Sequence, residues 1–269
     1  MIRSFQIGGL TLHTFGILVG LGFLAGLWLA GKRCRAVGLS PEVPYDLAFP
    51  WILISALVGA RLLYVVSYWQ RDFAGQSWIE PFAIWRGGLV FYGGLGLAIV
   101  VGIWRIRRLR LPLWKVSDCL VPGLALGHVF GRIGCLLNGC CYGRVCDLPW
   151  ALRYPHEFTA DHLPVFPLDP VHPTQAYEAL LDLTLAGALT WLHGRRRFEG
   201  QVSAAYLMGY AGIRSFVEFF RGDYPIISHP LSGIFTPGQF ASAFVFAAGF
   251  ALYLFRRHDR LPKSGSSAR

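Results

Sequence analysis

The sequence predicts an all-α, polytopic membrane protein that crosses the bilayer about seven times. Of its 269 residues, 54% are hydrophobic and only 15% charged, against roughly a quarter charged in a soluble domain. The apolar residues gather into runs near the roughly 20 residues that a helix needs to cross a ~30 Å hydrocarbon core. The basic residues crowd into alternate loops, which orients the spans.

The first run, about 12–31, has Arg3 alone before it and Lys32, Arg33 and Arg35 after it. A signal peptide carries its charge ahead of the apolar stretch and a small-residue cleavage site behind it, so this run reads as an uncleaved span with an external N-terminus. The second, about 46–68, leads into a loop at about 69–87 that contains Trp69, Trp78 and Trp85. Aromatics at that level suit the membrane interface, and Pro81 and Phe82 are expected to lie along it. Span three, about 88–106, opens on paired glycines around Phe91 and Tyr92 and ends in Arg105, Arg107, Arg108, Arg110 and Lys115. Spans four to seven cover about 116–137, 176–193, 201–220 and 234–255. Arg195, Arg196 and Arg197 follow span five; Arg256, Arg257, Arg260, Lys263 and Arg269 follow span seven.

Sixteen of the 25 basic residues thus share the side of the C-terminus, which is expected to be cytoplasmic. The formal charge of +10 is then a topology signal, and no nucleic-acid partner is expected. One integral membrane domain is expected over 1–258, followed by a polar, disordered tail at 259–269. The segment at about 138–175, between spans four and five, holds six prolines. That density excludes a long helix, so an ordered external loop is expected, placed to cover a substrate entrance.

Ionised groups inside a span cost about 2.5–3.5 kcal/mol each on insertion scales, and so mark sites. Span four carries His128 and Arg132 and runs on through Asn138 to Gly143-Arg144. His128 lies one turn before Arg132 and faces the same side. A guanidinium is a fixed fork of donors suited to phosphate, and a phosphate group inside a membrane points to a phospholipid. In span six Arg214, Glu218 and Arg221 stand at offsets of four and seven, on one helical face. Glu218 is expected to pair with both arginines, leaving positive charge in excess. Span five opens with His172-Pro173-Thr174-Gln175-Ala176-Tyr177-Glu178. Thr174 is expected to cap this helix. Glu178, one turn inside, either balances an arginine, the favoured reading, or acts as a base. His172, at the outer boundary, either faces solvent or bonds the loop, or takes part in catalysis. Tyr92 offers a hydroxyl to an oxyanion or an interface anchor, and Arg61 is expected to partner Glu218 or Glu178.

Cys34 and Cys119 read as small apolar residues. Cys135, Cys140, Cys141 and Cys146 cluster, but without paired C-x2-C units, and adjacent Cys140 and Cys141 look awkward as co-ligands. No metal and no cofactor is expected; a disulfide at the outer face and plain packing remain the two readings.

Together these motifs resemble the prolipoprotein diacylglyceryl transferases. The likeness runs from about Leu12 to Phe255. It rests on Phe15-Gly16, Gly59-Ala60-Arg61, Gly87-Gly88, Tyr92-Gly93-Gly94-Leu95, Gly131-Arg132-Ile133-Gly134, Asn138-Gly139, Gly143-Arg144, His172 to Glu178, Arg214 to Arg221, and Gly238-Gln239. The resemblance implies a multi-pass enzyme of the bacterial cytoplasmic (inner) membrane whose active site faces outward. Its partners would be phosphatidylglycerol and the lipobox cysteine of a preprolipoprotein signal peptide. It implies transfer of the diacylglyceryl group to that thiol, with glycerol phosphate leaving. Arg132 and Arg214 would contact the phosphate; Asn138, Arg144 and His172 would position the head group. Glu218 and Arg221 would hold Arg214, and Glu178, His128 or water would take the thiol proton. This chain departs from the family pattern in having Tyr92 for a histidine, Cys135 for an asparagine and Cys140 for a glutamate. Tyrosine, with a pKa about 10, is a poor base near neutrality, so Tyr92 is expected to orient the phosphate. An inactive phospholipid-binding relative and a lipid transporter are the competing readings; the transporter lacks support from inverted repeats.

Overall fold

The computed structural model describes residues 4–7, 10–84, 87–155, 157, 165–222 and 236–259. Among the described residues eight α-helices follow one another: α1 (Thr14–Ala36), α2 (Val43–Leu47), α3 (Leu53–Ser67), α4 (Phe91–Arg108), α5 (Leu113–Asn138), α6 (Thr174–Arg195), α7 (Gln201–Glu218) and α8 (Pro237–Arg256). A small hairpin precedes them, β1 (Ser4–Ile7) against β2 (Leu10–His13), with Ser4 opposite His13 and Ile7 opposite Leu10. The purely α-helical expectation missed it. The signal was legible: two short β-prone runs separated by the dipeptide Gly8-Gly9.

Among the described residues four stretches are long and apolar enough to cross a membrane: α1, the run Val43–Ser67, α5 and α8. Their outer surfaces agree with a lipid surrounding. On α8 the side chains of Phe240, Phe244, Phe246, Phe250 and Phe255 all point out of the protein. In water such a stripe would be an aggregation site, whereas in hydrocarbon it costs nothing. Trp78 and Phe82, in the loop after α3, are exposed as an interfacial loop requires. Trp85 of the same loop lies outside the described residues, as does the tail from 260.

The chain forms two compact units, one of residues 31–116 and one of residues 1–30 with 117–269. In the first, α3 and α4 cross at glycines. A Cβ on Gly59 would strike the Gly93 carbonyl, and one on Gly93 would strike that of Gly59. Such contact lets dispersion operate along two backbones where lipid removes the hydrophobic drive. Arg61 lies on this helix pair and is 8% exposed. Its guanidinium donates to the carbonyls of Glu80 (2.8 Å), Pro81 (2.8 Å), Gly87 (2.6 Å) and Gly88 (3.1 Å). The expected pairing of Arg61 with Glu218 or Glu178 is therefore wrong. Four carbonyls of the loop between α3 and α4 take its donors instead.

In the second unit α5, α6 and α7 enclose a core of Val121, Ala125, Ala186, Leu189, Val202 and Tyr206. Asp118, fully buried near the start of α5, fixes where α7 begins. Its carboxylate accepts from the backbone N–H of Gly200 (2.8 Å) and Ser203 (2.9 Å) and from the Ser203 hydroxyl (2.8 Å). A negative group at a helix N-terminus satisfies orphan donors and opposes the helix dipole. Cys34 and Cys119 are buried as expected. Cys119 also lies 3.5 Å from Nε2 of buried His193.

Candidate active site

The intramembrane charges of the second unit meet in one chain of alternating sign. Arg132 of α5 donates through Nη2 to Glu178 Oε1 of α6 at 2.7 Å. The other oxygen of Glu178 lies 4.0 Å from Arg214 Nη1 of α7. Arg214 Nη2 is 2.8 Å from Glu218 Oε2, which Arg221 Nε approaches to 3.9 Å. Three arginines thus share two carboxylates. The carboxylates are sealed, with side chains no more than 1% exposed, while those of Arg132 and Arg214 keep 15% and 16%. The group left reachable is therefore cationic.

α8 supports the chain from its first turn. Thr236 donates its hydroxyl to Glu218 Oε1 at 2.9 Å while accepting from the Gln239 N–H at 3.2 Å. Gln239 Oε1 accepts from the Thr236 N–H at 3.1 Å, completing a reciprocal cap. Gly238 sits against the Glu218 carboxylate so closely that a Cβ there would overlap it. Beside this turn a groove of about 550 Å³ runs between α7 and α8. Its walls include Ala211, Gly212, Phe219, Phe240 and Phe246, and are almost wholly apolar.

One turn from Arg132 and Glu178, His128 Nδ1 lies 3.8 Å from Asp182 Oδ2. The His128 ring also packs on Tyr210, centroids 5.0 Å apart. Asp182 is wholly buried, and among the described residues neither of its carboxyl oxygens has a hydrogen-bond partner. The sequence reading missed Asp182, although its spacing of four from Glu178 puts both acids on one face of α6.

The outer rim comes from the proline-rich segment, in which no described residue between α5 and α6 is helical. A core of Tyr154, Phe166 and Val171 orders it, with Tyr142 and Leu152 alongside. Short bridges tie it to the charge chain. Arg144 N–H donates to the Phe220 carbonyl (2.8 Å), Gly143 N–H to that of His172 (2.9 Å), and His172 N–H to that of Arg144 (3.0 Å). Arg144 extends an exposed side chain, and Asn138, the last residue of α5, is exposed too. His172 is buried against Phe220 and Tyr177, with Nδ1 3.3 Å from the Tyr177 hydroxyl. Burial, with the nearby Arg144 charge, holds the His172 imidazole below its ordinary pKa. Residues 156 and 158–164, including His156, Asp161 and His162, lie outside the described residues.

Thr174 does not cap α6. Its hydroxyl donates to the Cys141 carbonyl at 2.7 Å, and Gln175 Nε2 donates to the Cys140 carbonyl at 2.6 Å. The Ala176 and Tyr177 N–H groups already donate to the Pro173 carbonyl (2.9 and 3.1 Å), and the loop carbonyls compete for the hydroxyl. None of the six cysteines is joined in a disulfide. Tyr92 belongs to the first unit, in the opening turn of α4, where it is 71% exposed and packs on Phe91. Arg132, Glu178, Arg214, Glu218 and Arg221 are thus brought together, with His128 one turn away and Arg144 and His172 at the rim.

Comparison with known proteins gives this geometry a family. Residues 3–255 match the model of the family described as prolipoprotein diacylglyceryl transferase. The chain is 35% identical over 257 residues to the phosphatidylglycerol–prolipoprotein diacylglyceryl transferase of Bordetella bronchiseptica, covering 94% of each chain. It is 34% identical to the enzyme of that name from Pseudoalteromonas atlantica, over 97% of this chain and 91% of the relative. It is 32% identical to that of Legionella pneumophila, over 94% and 96%. With one family model spanning nearly its whole length and full-length relatives above 30% identity, the chain belongs to the prolipoprotein diacylglyceryl transferase family.

Proposed function

We propose that this chain transfers the diacylglyceryl group of phosphatidylglycerol to the lipobox cysteine thiol of preprolipoproteins, in the bacterial cytoplasmic membrane. A C–S bond forms at the glyceryl carbon, the C–O bond to phosphate breaks, and glycerol phosphate leaves with the electron pair. The observation that carries this reading is the charge chain, whose sealed carboxylates leave the edges of Arg132 and Arg214 as the accessible groups. Preorganised guanidinium donors in a low-dielectric setting stabilise charge building on a leaving phosphate far more than water would. Glu178 holds Arg132; Glu218, Arg221 and Thr236 hold Arg214. Arg144 and Asn138, exposed above them, contact the polar head group, and His172 keeps the Arg144 loop in register. The apolar groove between α7 and α8 takes an acyl chain.

The topology follows from the loop charges: seven crossings, with α4, α6 and α7 added to the four apolar stretches, N-terminus outside and C-terminus in the cytoplasm. The active face is then the outer one, and the two compact units serve as one membrane domain. Tyr92 enters on family resemblance alone, as a hydroxyl donor to an oxyanion.

The test is rescue of a strain depleted of its own transferase, with purified protein assayed in parallel on phosphatidylglycerol and a lipobox peptide. Wild type should restore growth and add one diacylglyceryl mass to the peptide; Arg132→Ala and Arg214→Ala should do neither. A wild type that binds phosphatidylglycerol without modifying the peptide would be an inactive lipid-binding relative.

A further inference from the structure

We infer that Cys135, Cys140 and Cys141 form a three-thiolate site for a thiophilic d10 cation, zinc, whose fourth position takes the thiol that is to be alkylated. The metal site stands on this structure alone; the identity of the fourth ligand rests on the proposed transfer reaction.

The geometry begins with how α5 ends. Cys135 is in its last turn, and Gly139 reverses the chain at φ +75°. The Cys140 N–H then donates back to the Cys135 carbonyl (3.1 Å) and the Gly139 N–H to that of Leu136 (3.3 Å). This left-handed helix stop is what folds Cys140 over Cys135, its Sγ 3.8 Å from the Cys135 carbonyl oxygen. Cys141 has φ +62°, rare for a residue with a Cβ, and that turn brings its side chain to the same side as its neighbour's. The hydrogen bonds from Thr174 and Gln175 to the carbonyls of Cys141 and Cys140 keep the strained pair in place. All three Sγ atoms lie within 4.8 Å of one another. Zn–S bonds of about 2.3 Å in a tetrahedron put sulfurs about 3.8 Å apart, a change that side-chain rotation accommodates. The adjacency of Cys140 and Cys141, which made them look awkward as co-ligands, is resolved by the positive φ at the second.

Charge agrees. Three thiolates and Zn2+ sum to −1, and the Arg132 guanidinium stands three residues before Cys135 on α5. Three protein ligands also leave the open coordination position of a reactive zinc rather than the closed shell of a structural one. Such a device activates a thiol without calling on Glu178 or Glu218, the carboxylates committed to the arginines. A thiol entering the fourth position binds as thiolate and gives its proton to solvent. Its sulfur pair forms the C–S bond at the glyceryl carbon, the C–O bond breaks, and the phosphate departs with the C–O bonding pair beside Arg132. The neutral thioether is a weaker ligand than the thiolate and leaves the metal.

The test uses the full chain purified in detergent without a polyhistidine tag, dialysed against buffered Zn2+ or Co2+. About one zinc per chain is expected, with a sulfur-to-cobalt charge-transfer band in the Co2+ form. That band should gain intensity when a lipobox peptide is added, and not with its Cys→Ser analogue. Cys135→Ser and Cys141→Ser should each lower zinc affinity at least ~10-fold. Because those variants test folding too, iodoacetamide mapping of the wild type provides a second readout: zinc should protect these three thiols and leave Cys146 reactive. Absence of bound metal, or a disulfide among the three thiols in the active protein, overturns the site and leaves the transfer reaction standing. A band unmoved by the peptide overturns the open position. Metal and peptide bound, with no transfer from phosphatidylglycerol, upholds the site and sinks the proposed reaction instead.

Discussion

Arg132 and Glu178 form a 2.7 Å ion pair in which only one partner can be reached, the acid being 1% exposed and the guanidinium 15%. The asymmetry separates two roles that a buried ion pair normally mixes. Glu178 also stands 4.0 Å from Arg214, so it is the joint between two arginines and holds both in position.

Glu178→Gln and Arg132→Ala should therefore fail in different ways. Glu178→Gln strips compensation from two partly buried cations and should cost about 3–5 kcal/mol of stability. Arg132→Ala leaves Glu178 with Arg214 as a partner, so its loss of stability should be smaller while transfer is abolished. Arg132→Lys keeps the charge and loses the fork; transfer should fall at least ~10-fold with little change in melting temperature. Thermal melts in detergent and product counts by mass spectrometry separate the three. Equal destabilisation by Glu178→Gln and Arg132→Ala would refute the joint.

A second prediction concerns a residue with no side chain. Gly238→Ala would drive a Cβ into the Glu218 carboxylate, which also binds Arg214 and Thr236. Overpacking of this sort costs about 1–3 kcal/mol, and here it moves an arginine as well. We expect lower melting temperature and a fall in transfer together. Gly187→Ala on α6, where a Cβ meets nothing within 4 Å, is the control and should leave both unchanged.

The four long apolar stretches and the charged residues of the helices were legible because lipid makes both conspicuous: apolar runs have a required length, and charges inside them are costly. The pairing of Glu218 with Arg214 and Arg221 followed from helical spacing alone, even though α7 ends at Glu218 and Arg221 lies beyond it. What spacing does not encode is which polar group wins a shared donor. Arg61 was assigned to an acid and went to four carbonyls; Thr174 was assigned to its own helix and went to Cys141. In each case loop backbone, whose path a sequence hides, supplied acceptors that must be satisfied. The three-thiol cluster was hidden for the same reason, since it depends on backbone angles at Gly139 and Cys141.

Arg61 yields a third prediction. Its four hydrogen bonds gather two loop segments, Glu80-Pro81 and Gly87-Gly88, at one guanidinium. A lysine keeps the charge but presents no planar fork, so Arg61→Lys should release part of the loop and Arg61→Ala nearly all of it. Hydrogen exchange over residues 80–90 should quicken in that order, while exchange in α6 and α7 stays as in wild type. The hydrogen bond from the Val90 N–H to the Ala60 carbonyl gives a local probe of the same release. Unchanged exchange in Arg61→Ala would mean that the loop is held by other contacts.

His172 makes the rim sensitive to acid. Burial, and then the Arg144 charge, push its pKa below the ordinary 6.5 in the folded protein. Between the lowered value and 6.5 the unfolded chain binds more protons than the folded one, so stability rises with pH across that window. The contribution of neutral His172 is complete above 6.5 and is lost as the pH falls toward the folded value. One such group changes stability by at most about 1.4 kcal/mol per pH unit. His172→Gln removes the titration, although it also perturbs the contact with Tyr177. The decisive quantity is therefore the slope and not the level. Between pH 5 and 7 the melting temperature of wild type should climb more steeply than that of His172→Gln, and the two curves should run parallel above pH 7. Parallel curves throughout would place the acid sensitivity elsewhere, and a steeper variant would reverse the sign argued here.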